Sequence, residues 1–348
     1  MFAKKIVAGA ALLALAAAAQ AQVKVYGALD MSVGSFKPIG GKSTTKVESG
    51  NMMTSFIGFA GSEDLGGGLK AEFTLESFIG GDTGSNVPNQ AGNFWSRGSN
   101  IALTGGFGKI ALGQYDNALF IAGLSYNPFG SSMTFSPTMR HLYDLGSTTV
   151  GLPGSLATVG FDTGWVNSIT YESPNLSGFT FSAQFAPKES STDGAKNSFT
   201  LAGGYSAGPL SLMAVYVDAG ATNSSNAYLA EQTVISLNGS YDFGVVKAFL
   251  QYTDIDYEDN SLYLGVVDST KLFQVGASIP VSAAGSVLVS YGQAKFKAGS
   301  ESAKDRIFSI GYDHFLSKRT DVYVALTNEK LTDVKGATSF AVGIKHAF

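Results

Sequence analysis

Two Asp-Thr-Gly tripeptides, Asp82-Thr83-Gly84 and Asp162-Thr163-Gly164, are the first groups in this 348-residue sequence whose types could do chemistry. Paired carboxylates that share a proton are the machinery of an aspartic protease. The same three residue types are ordinary turn formers, because Asp bonds its own backbone and Gly accepts positive φ. Both tripeptides read as loop turns. A nucleophilic hydrolase would need a base, and there are three histidines, His141, His314 and His346. His141 with Asp144 and nearby serines makes a triad on paper, but no serine there sits in a Gly-x-Ser-x-Gly elbow. Asp254, Asp256, Glu258 and Asp259 in DIDYEDN are spaced as calcium ligands could be, without the turn glycine and distal glutamate of an EF-hand. They read as a solvated acidic loop, or one bridged by divalent cations to lipopolysaccharide phosphates. Gly66-Gly67-Gly68 lacks the strand-to-helix context of a phosphate loop and reads as a tight turn. No cofactor and no metal site are expected.

The elements that would hold these groups have a different signature. In LKAEFTLE, residues 69–76, Leu69, Ala71, Phe73 and Leu75 alternate with Lys70, Glu72, Thr74 and Glu76. Successive side chains of a strand point to opposite faces, so one face is apolar and the other carries three charges. Charged residues make up 14% of the chain, against roughly a quarter in soluble proteins. Gly numbers 43 and Pro 9, and Cys is absent, so an exported chain would fold without disulfides. Export is expected: Lys4 and Lys5 precede an uncharged Ala/Leu run ending Ala19-Gln20-Ala21, a signal peptide over residues 1–21. Of 23 basic and 27 acidic residues, cleavage removes the two lysines, leaving 21 and 27 and a net charge of −6. That balance gives no footprint for nucleic acid.

Period-2 segments of about ten residues, the span of a tilted transmembrane strand, recur along residues 22–348. Sixteen are counted, opening at 23–34, 51–61, 69–79, 94–104 and 108–114 and closing at 320–328 and 337–348. Links after even-numbered segments are short, such as GGF, AG and DF, and those after odd-numbered ones are generally longer. The longest runs over about 115–164. Aromatics fall on the apolar face near the segment ends, with Phe59, Tyr171, Phe179, Tyr205, Tyr241, Tyr312 and Phe348 toward one rim and Phe185, Tyr216, Tyr252 and Tyr291 toward the other. The expected fold is all-β, a 16-stranded antiparallel transmembrane barrel with short periplasmic turns and long external loops. A soluble exported β-rich binding protein would bury the apolar face instead. An outer-membrane barrel hydrolase is the enzymatic alternative.

The stretches VKVYGALDMSVG, IGFAGSEDLGGGLKAEFTLE, FWSRGSNIALTGGFGKIALGQYD, NSITYESPNLSGFTFSAQF and the terminal VGIKHAF resemble the Gram-negative general porins of beta-proteobacteria and Neisseria. The resemblance covers the whole mature length. It implies a homotrimer, a third external loop folded into the lumen over about 115–164, and passive diffusion of ions and small hydrophilic solutes. It also implies contact with lipopolysaccharide and export through the barrel assembly machinery, with Phe348 as the assembly signal. Family constrictions oppose wall arginines to loop acids. Here Ser55-Phe56-Ile57-Gly58 stands where relatives read S-R-x-G, Leu112-Gly113-Gln114 where they read L-G-R, and Gly164-Trp165-Val166 carries no arginine. The expected pore-lining set is Lys70, Glu72, Glu76, Phe56, Gln114, Asp116, Arg140 and Asp144, giving a neutral or cation-leaning pore. The parity of Arg97 with Ile101 and Leu103 points it outward, toward lipid, unless a bulge intervenes.

Overall fold

The computed structural model describes residues 23–87, 92–143, 159, 161–189, 191, 195–220, 231–258 and 267–348. The expected signal peptide, Asp144 and Asp259 lie outside the described residues. The strands are β1 (Lys24–Phe36), β2 (Thr44–Ser49), β3 (Phe56–Gly66), β4 (Leu69–Gly80), β5 (Ser85–Val87), β6 (Gly98–Gly105), β7 (Gly108–Asp116), β8 (Gly164–Glu172) and β9 (Phe179–Ala186). They continue as β10 (Ser198–Ala207), β11 (Leu210–Ala219), β12 (Glu231–Asp242), β13 (Lys247–Glu258), β14 (Ser269–Pro280), β15 (Gly285–Ala298), β16 (Glu301–Phe315), β17 (Thr320–Leu331) and β18 (Ala337–Ala347). Among the described residues, two helices, α1 (Ala118–Ser125) and α2 (Pro137–Tyr143), lie between β7 and β8.

All eighteen strands form one antiparallel sheet, and β1 pairs with β18 to close it. The short β2 and β5 extend loops; the other sixteen make the ring. The chain's last residue completes the seam, with Phe348 N donating to Gly27 O at 3.0 Å and Gly27 N donating to Phe348 O at 3.2 Å. A closed ring leaves no strand edge unpaired, the requirement for backbone in hydrocarbon. At the β3–β4 turn Gly66, Gly67 and Gly68 hold φ of 87°, 63° and 82°, a left-handed run that side chains with Cβ disfavour.

Each strand turns an apolar face outward. On β17 Val324 and Leu326 are exposed while Thr327 and Glu329 are buried inside. Outward aromatics pair across strands: Phe179 with Tyr205 at 4.5 Å, Phe199 with Tyr216 at 5.9 Å, Phe273 with Tyr291 at 5.9 Å between ring centroids.

Differences from the period-2 reading include those at β3, β6 and the β15–β16 link. β3 starts at Phe56 rather than 51, because Met52 N and Met53 N turn inward to donate to the Asp30 carboxylate at 2.6 and 3.0 Å. Asp30 is therefore buried on the inward face, and it also accepts from Tyr323 Oη at 2.8 Å. β6 starts at Gly98 rather than 94, after a bend over residues 94–97. On the external side, β15 and β16 are joined by Gly299 and Ser300 alone.

The apolar core lies inside the barrel, beneath the inward segment. Leu119, Ala122 and Leu142 of the helices pack with Phe161, Trp165, Val215, Val217, Val234, Ile255 and Leu272 of the wall and its approaches. A second cluster joins Phe129 and Phe135 to Leu288, Tyr323 and Ala341. Burying one such side chain contributes about 1.5–3 kcal/mol, so these contacts hold the segment against the wall.

Candidate functional site

The segment from Asn117 to Tyr143 crosses the lumen, and the wall grips it at the helix ends. Asn117 caps α1, its Oδ1 accepting from Leu119 N at 2.9 Å. Its Nδ2 donates to Gln184 Oε1 at 3.0 Å and Thr200 Oγ1 at 2.7 Å on the wall. At the other end of α1, Gln251 Nε2 donates to Ala122 O at 3.0 Å. Gln274 Oε1 accepts Thr138 N at the start of α2 at 2.9 Å, and its amide donates to Gln251 Oε1 at 3.1 Å. The first N–H groups of a helix have no intrahelical partner, and Gln274 satisfies one of them at α2, while Gln251 adds a second donor to Ala122 O beside Tyr126 N. Two further contacts complete the attachment: the ion pair of Arg140 with Glu329 of β17 at 2.8 Å, and His141 Nε2 against Asp305 Oδ2 of β16 at 3.2 Å. Burial of the Tyr143 phenol beside Asp162 and Asp116 raises its pKa well above the usual tyrosine range, so it stays neutral.

On the facing wall a cavity of about 260 Å³ is lined by Tyr26, Glu72, Glu76, Arg97, Lys109, Asp116, Glu172 and Ile121, among others. A second, of about 310 Å³, shares Asp116, Ile121 and Glu172 and is otherwise lined by uncharged groups such as Thr170, Ser182, Gln184 and Thr200. Both open between α1 and the wall. Glu72 pairs with Lys109 at 3.1 Å and accepts from Thr104 Oγ1 at 3.0 Å. Glu76 pairs with Arg97 and accepts from Tyr26 Oη at 2.5 Å. Lys109 stands directly across the ladder from Glu172. Among the described residues, no carboxylate–cation contact within 4.0 Å involves Asp116 or Glu172.

Arg97 corrects the parity reading. Ser96 N donates to Phe94 O at 2.8 Å, a tight turn that breaks the alternation just before β6. Arg97 therefore faces the lumen, its guanidinium carbon 4.4 Å from the centre of the Phe56 ring. The basic group missing from position 56 is thus restored over that position from the bend before β6, two strands along the wall. Phe56 faces inward but is buried beneath Arg97, and is a platform rather than a lining residue. Gln114 borders the cavity, yet its amide is committed to Ser96 O at 2.9 Å, holding the bend; the β7–β8 register shifts beside it, where Gly113 has φ 119°. Lys70 is exposed near the turn end of β4, opposite Thr104. Arg140, expected in the pore lining, is tied to the wall carboxylate Glu329.

The other motifs have local explanations. Asp162 Oδ1 accepts Thr163 N at 2.7 Å, and Asp82-Thr83-Gly84 sits in the β4–β5 turn, where Thr83 N donates to Gly80 O at 3.2 Å. His314 Nδ1 meets Tyr312 Oη at 2.9 Å, and His346 Nδ1 meets Thr320 Oγ1 at 2.8 Å. Asp254 accepts from Lys271 Nζ at 2.7 Å. Sequence reading missed the clamps Asn117, Gln251 and Gln274, the acid Glu172 and the cation Lys109. Their one signal was a polar residue on the inward parity of a strand, which Gln251 and Gln274 share with every other lumenal residue.

The family model for Gram-negative porins matches residues 8–333. The chain belongs to that family. This porin is 33% identical to outer membrane porin protein 32 of Delftia acidovorans, with 99% of each chain covered. It is 30% identical to an outer membrane porin of Bordetella pertussis, covering 99% of this chain and all of the relative. A solved structure described as an anion-selective porin from Comamonas acidovorans superposes with a TM-score of 0.77 at 28% identity, over 94% of this porin and 100% of that chain. The protein is therefore an outer-membrane barrel forming a water-filled channel for ions and small hydrophilic solutes.

Proposed function

We propose that solutes pass through the two cavities beside α1 and that the passage favours small cations. The observation carrying this reading is that Glu72 and Glu76 are matched by Lys109 and Arg97, while Asp116 and Glu172 line both cavities without an ion-pair partner of their own. The six charges sum to −2. A narrow path with low-dielectric walls focuses such a field, so a small charge excess sets which ion enters. One solved relative carries the description anion-selective, and this porin has Phe56, Gln114 and the arginine-free stretch Gly164-Trp165-Val166 where the family resemblance places wall arginines. We also propose that the mature chain begins after Ala21, assembles as a homotrimer among lipopolysaccharide, is recognised through Phe348 by the barrel assembly machinery, and performs no catalysis.

Liposome swelling with equally sized cationic, neutral and anionic solutes tests the preference. Cationic solutes should enter fastest, and the Asp116→Asn, Glu172→Gln double variant should lose the difference while keeping neutral-solute entry. Faster entry of the anionic solute into wild-type liposomes would overturn the proposal.

A further inference from the structure

The outer face of the barrel carries a row of cations that the channel does not use. On β14–β17, near the external end, Lys271 stands directly opposite Lys295, Lys295 opposite Lys304, and Arg306 opposite Lys330. All of them share the outward parity of Phe273, Tyr291 and Phe308, which lie a few residues nearer the middle of the same strands. Lys271 is neutralised by Asp254 of β13. Among the described residues, Lys295, Lys304, Arg306 and Lys330 have no ion-pair partner; Arg306 Nε donates to Gln293 Oε1 at 3.3 Å.

Directly opposed residues on antiparallel strands hold their Cβ atoms about 5 Å apart, and like charges in that register destabilise the sheet. With Lys271 already neutralised, the two pairs Lys295–Lys304 and Arg306–Lys330 side by side call for a counter-anion. Along the strands the row lies between two and four residues beyond the aromatics, roughly 7–14 Å at about 3.4 Å per residue before strand tilt. That is the height of lipid headgroups above an aromatic girdle. The external end of an outer-membrane barrel faces the outer leaflet.

We propose that Lys295, Lys304, Arg306 and Lys330 form a docking surface for the phosphates of an outer-leaflet lipid, whose acyl chains run down over Phe273, Tyr291 and Phe308. Arg306 gives a planar fork for a phosphate, and the lysines act as point charges around it. The inference rests on the outer-membrane reading of the barrel and deepens it by naming the headgroup chemistry and its place.

The test is thermal unfolding of the purified full-length mature protein in neutral detergent, titrated with three probes: a diphosphorylated acylated disaccharide, the same lipid without phosphates, and inorganic pyrophosphate. The diphosphorylated lipid should raise the unfolding temperature and the other two should not. In the Lys295→Gln, Lys304→Gln, Arg306→Gln, Lys330→Gln variant the lipid concentration needed should rise by about tenfold or more. Without lipid that variant should be at least as stable as wild type, since like-charge contacts have gone. A Lys295→Arg, Lys304→Arg variant, which keeps the charge, should respond as wild type does. An equal shift with pyrophosphate, or an equal response from the neutralised variant, would overturn the proposal. The neutralised variant should keep wild-type conductance in planar bilayers. Altered conductance would overturn the outward placement of these side chains, and failure of wild type to conduct would strike the channel reading instead.

Discussion

Arg97 carries the most weight of any single residue at the constriction. It is bonded to Glu76, stacked on Phe56, and placed there by a bend that breaks strand parity. Arg97→Gln should leave the Glu76 carboxylate facing the cavity uncompensated. The reversal potential under a salt gradient should then move further toward cation preference. The pair is partly reached by water, so the stability loss should be roughly 1–3 kcal/mol, below the cost of breaking a fully buried pair. The Arg97→Gln, Glu76→Gln double variant should recover part of that loss in a denaturation cycle. At this scale the sequence was least legible. Phe56 and Gln114 marked where family arginines are missing, but parity carried through residues 94–97 sent the replacement to the wrong face. A two-residue turn leaves no mark in an alternation pattern.

The inward segment is the element that converts a wide barrel into a narrow path. Its existence followed from loop length, since a stretch of some fifty residues between two strands is rarely idle. Its helices did not follow, because ALFIAGLS is apolar on every side and offers no 3.6-residue stripe. Most of it is covered by the wall and the neighbouring helix, with Ile121 turned to the cavities, so no broad polar face was required. The same covering explains why the inward faces of β11–β14 carry Val215, Val217, Val234, Ile255 and Leu272 where open water would have demanded polar groups. Asn117 is the hinge of this arrangement. Asn117→Ala should cost about 1 kcal/mol from the lost cap. The orphaned wall groups Gln184 and Thr200 add to the loss. Single-channel records should show more frequent current fluctuations with mean conductance little changed. A quiet trace identical to wild type would mean that the apolar contacts alone hold α1.

For the whole molecule, the decisive property is which face meets hydrocarbon. Period 2, alternating link length and an aromatic terminus made the ring legible from residues such as Leu69 to Glu76 and Phe340 to Phe348. The short strands β2 and β5 escaped because each is a loop hairpin too brief to show a period. Leu237, exposed at the middle of β12, and Thr74, lining the cavity from β4, separate the two faces. Leu237→Arg should destabilise the barrel in bilayers by about 2–4 kcal/mol, the cost near the midplane. Thr74→Arg should leave folding intact and weaken cation preference. Equal destabilisation by both would contradict a wet interior. The most direct measurement is the current–voltage relation of purified wild-type protein in a planar bilayer under a potassium chloride gradient. The account predicts discrete, long-lived conductance steps whose reversal potential has the sign of cation preference; absence of steps, or a strongly anion-selective reversal potential, would contradict it.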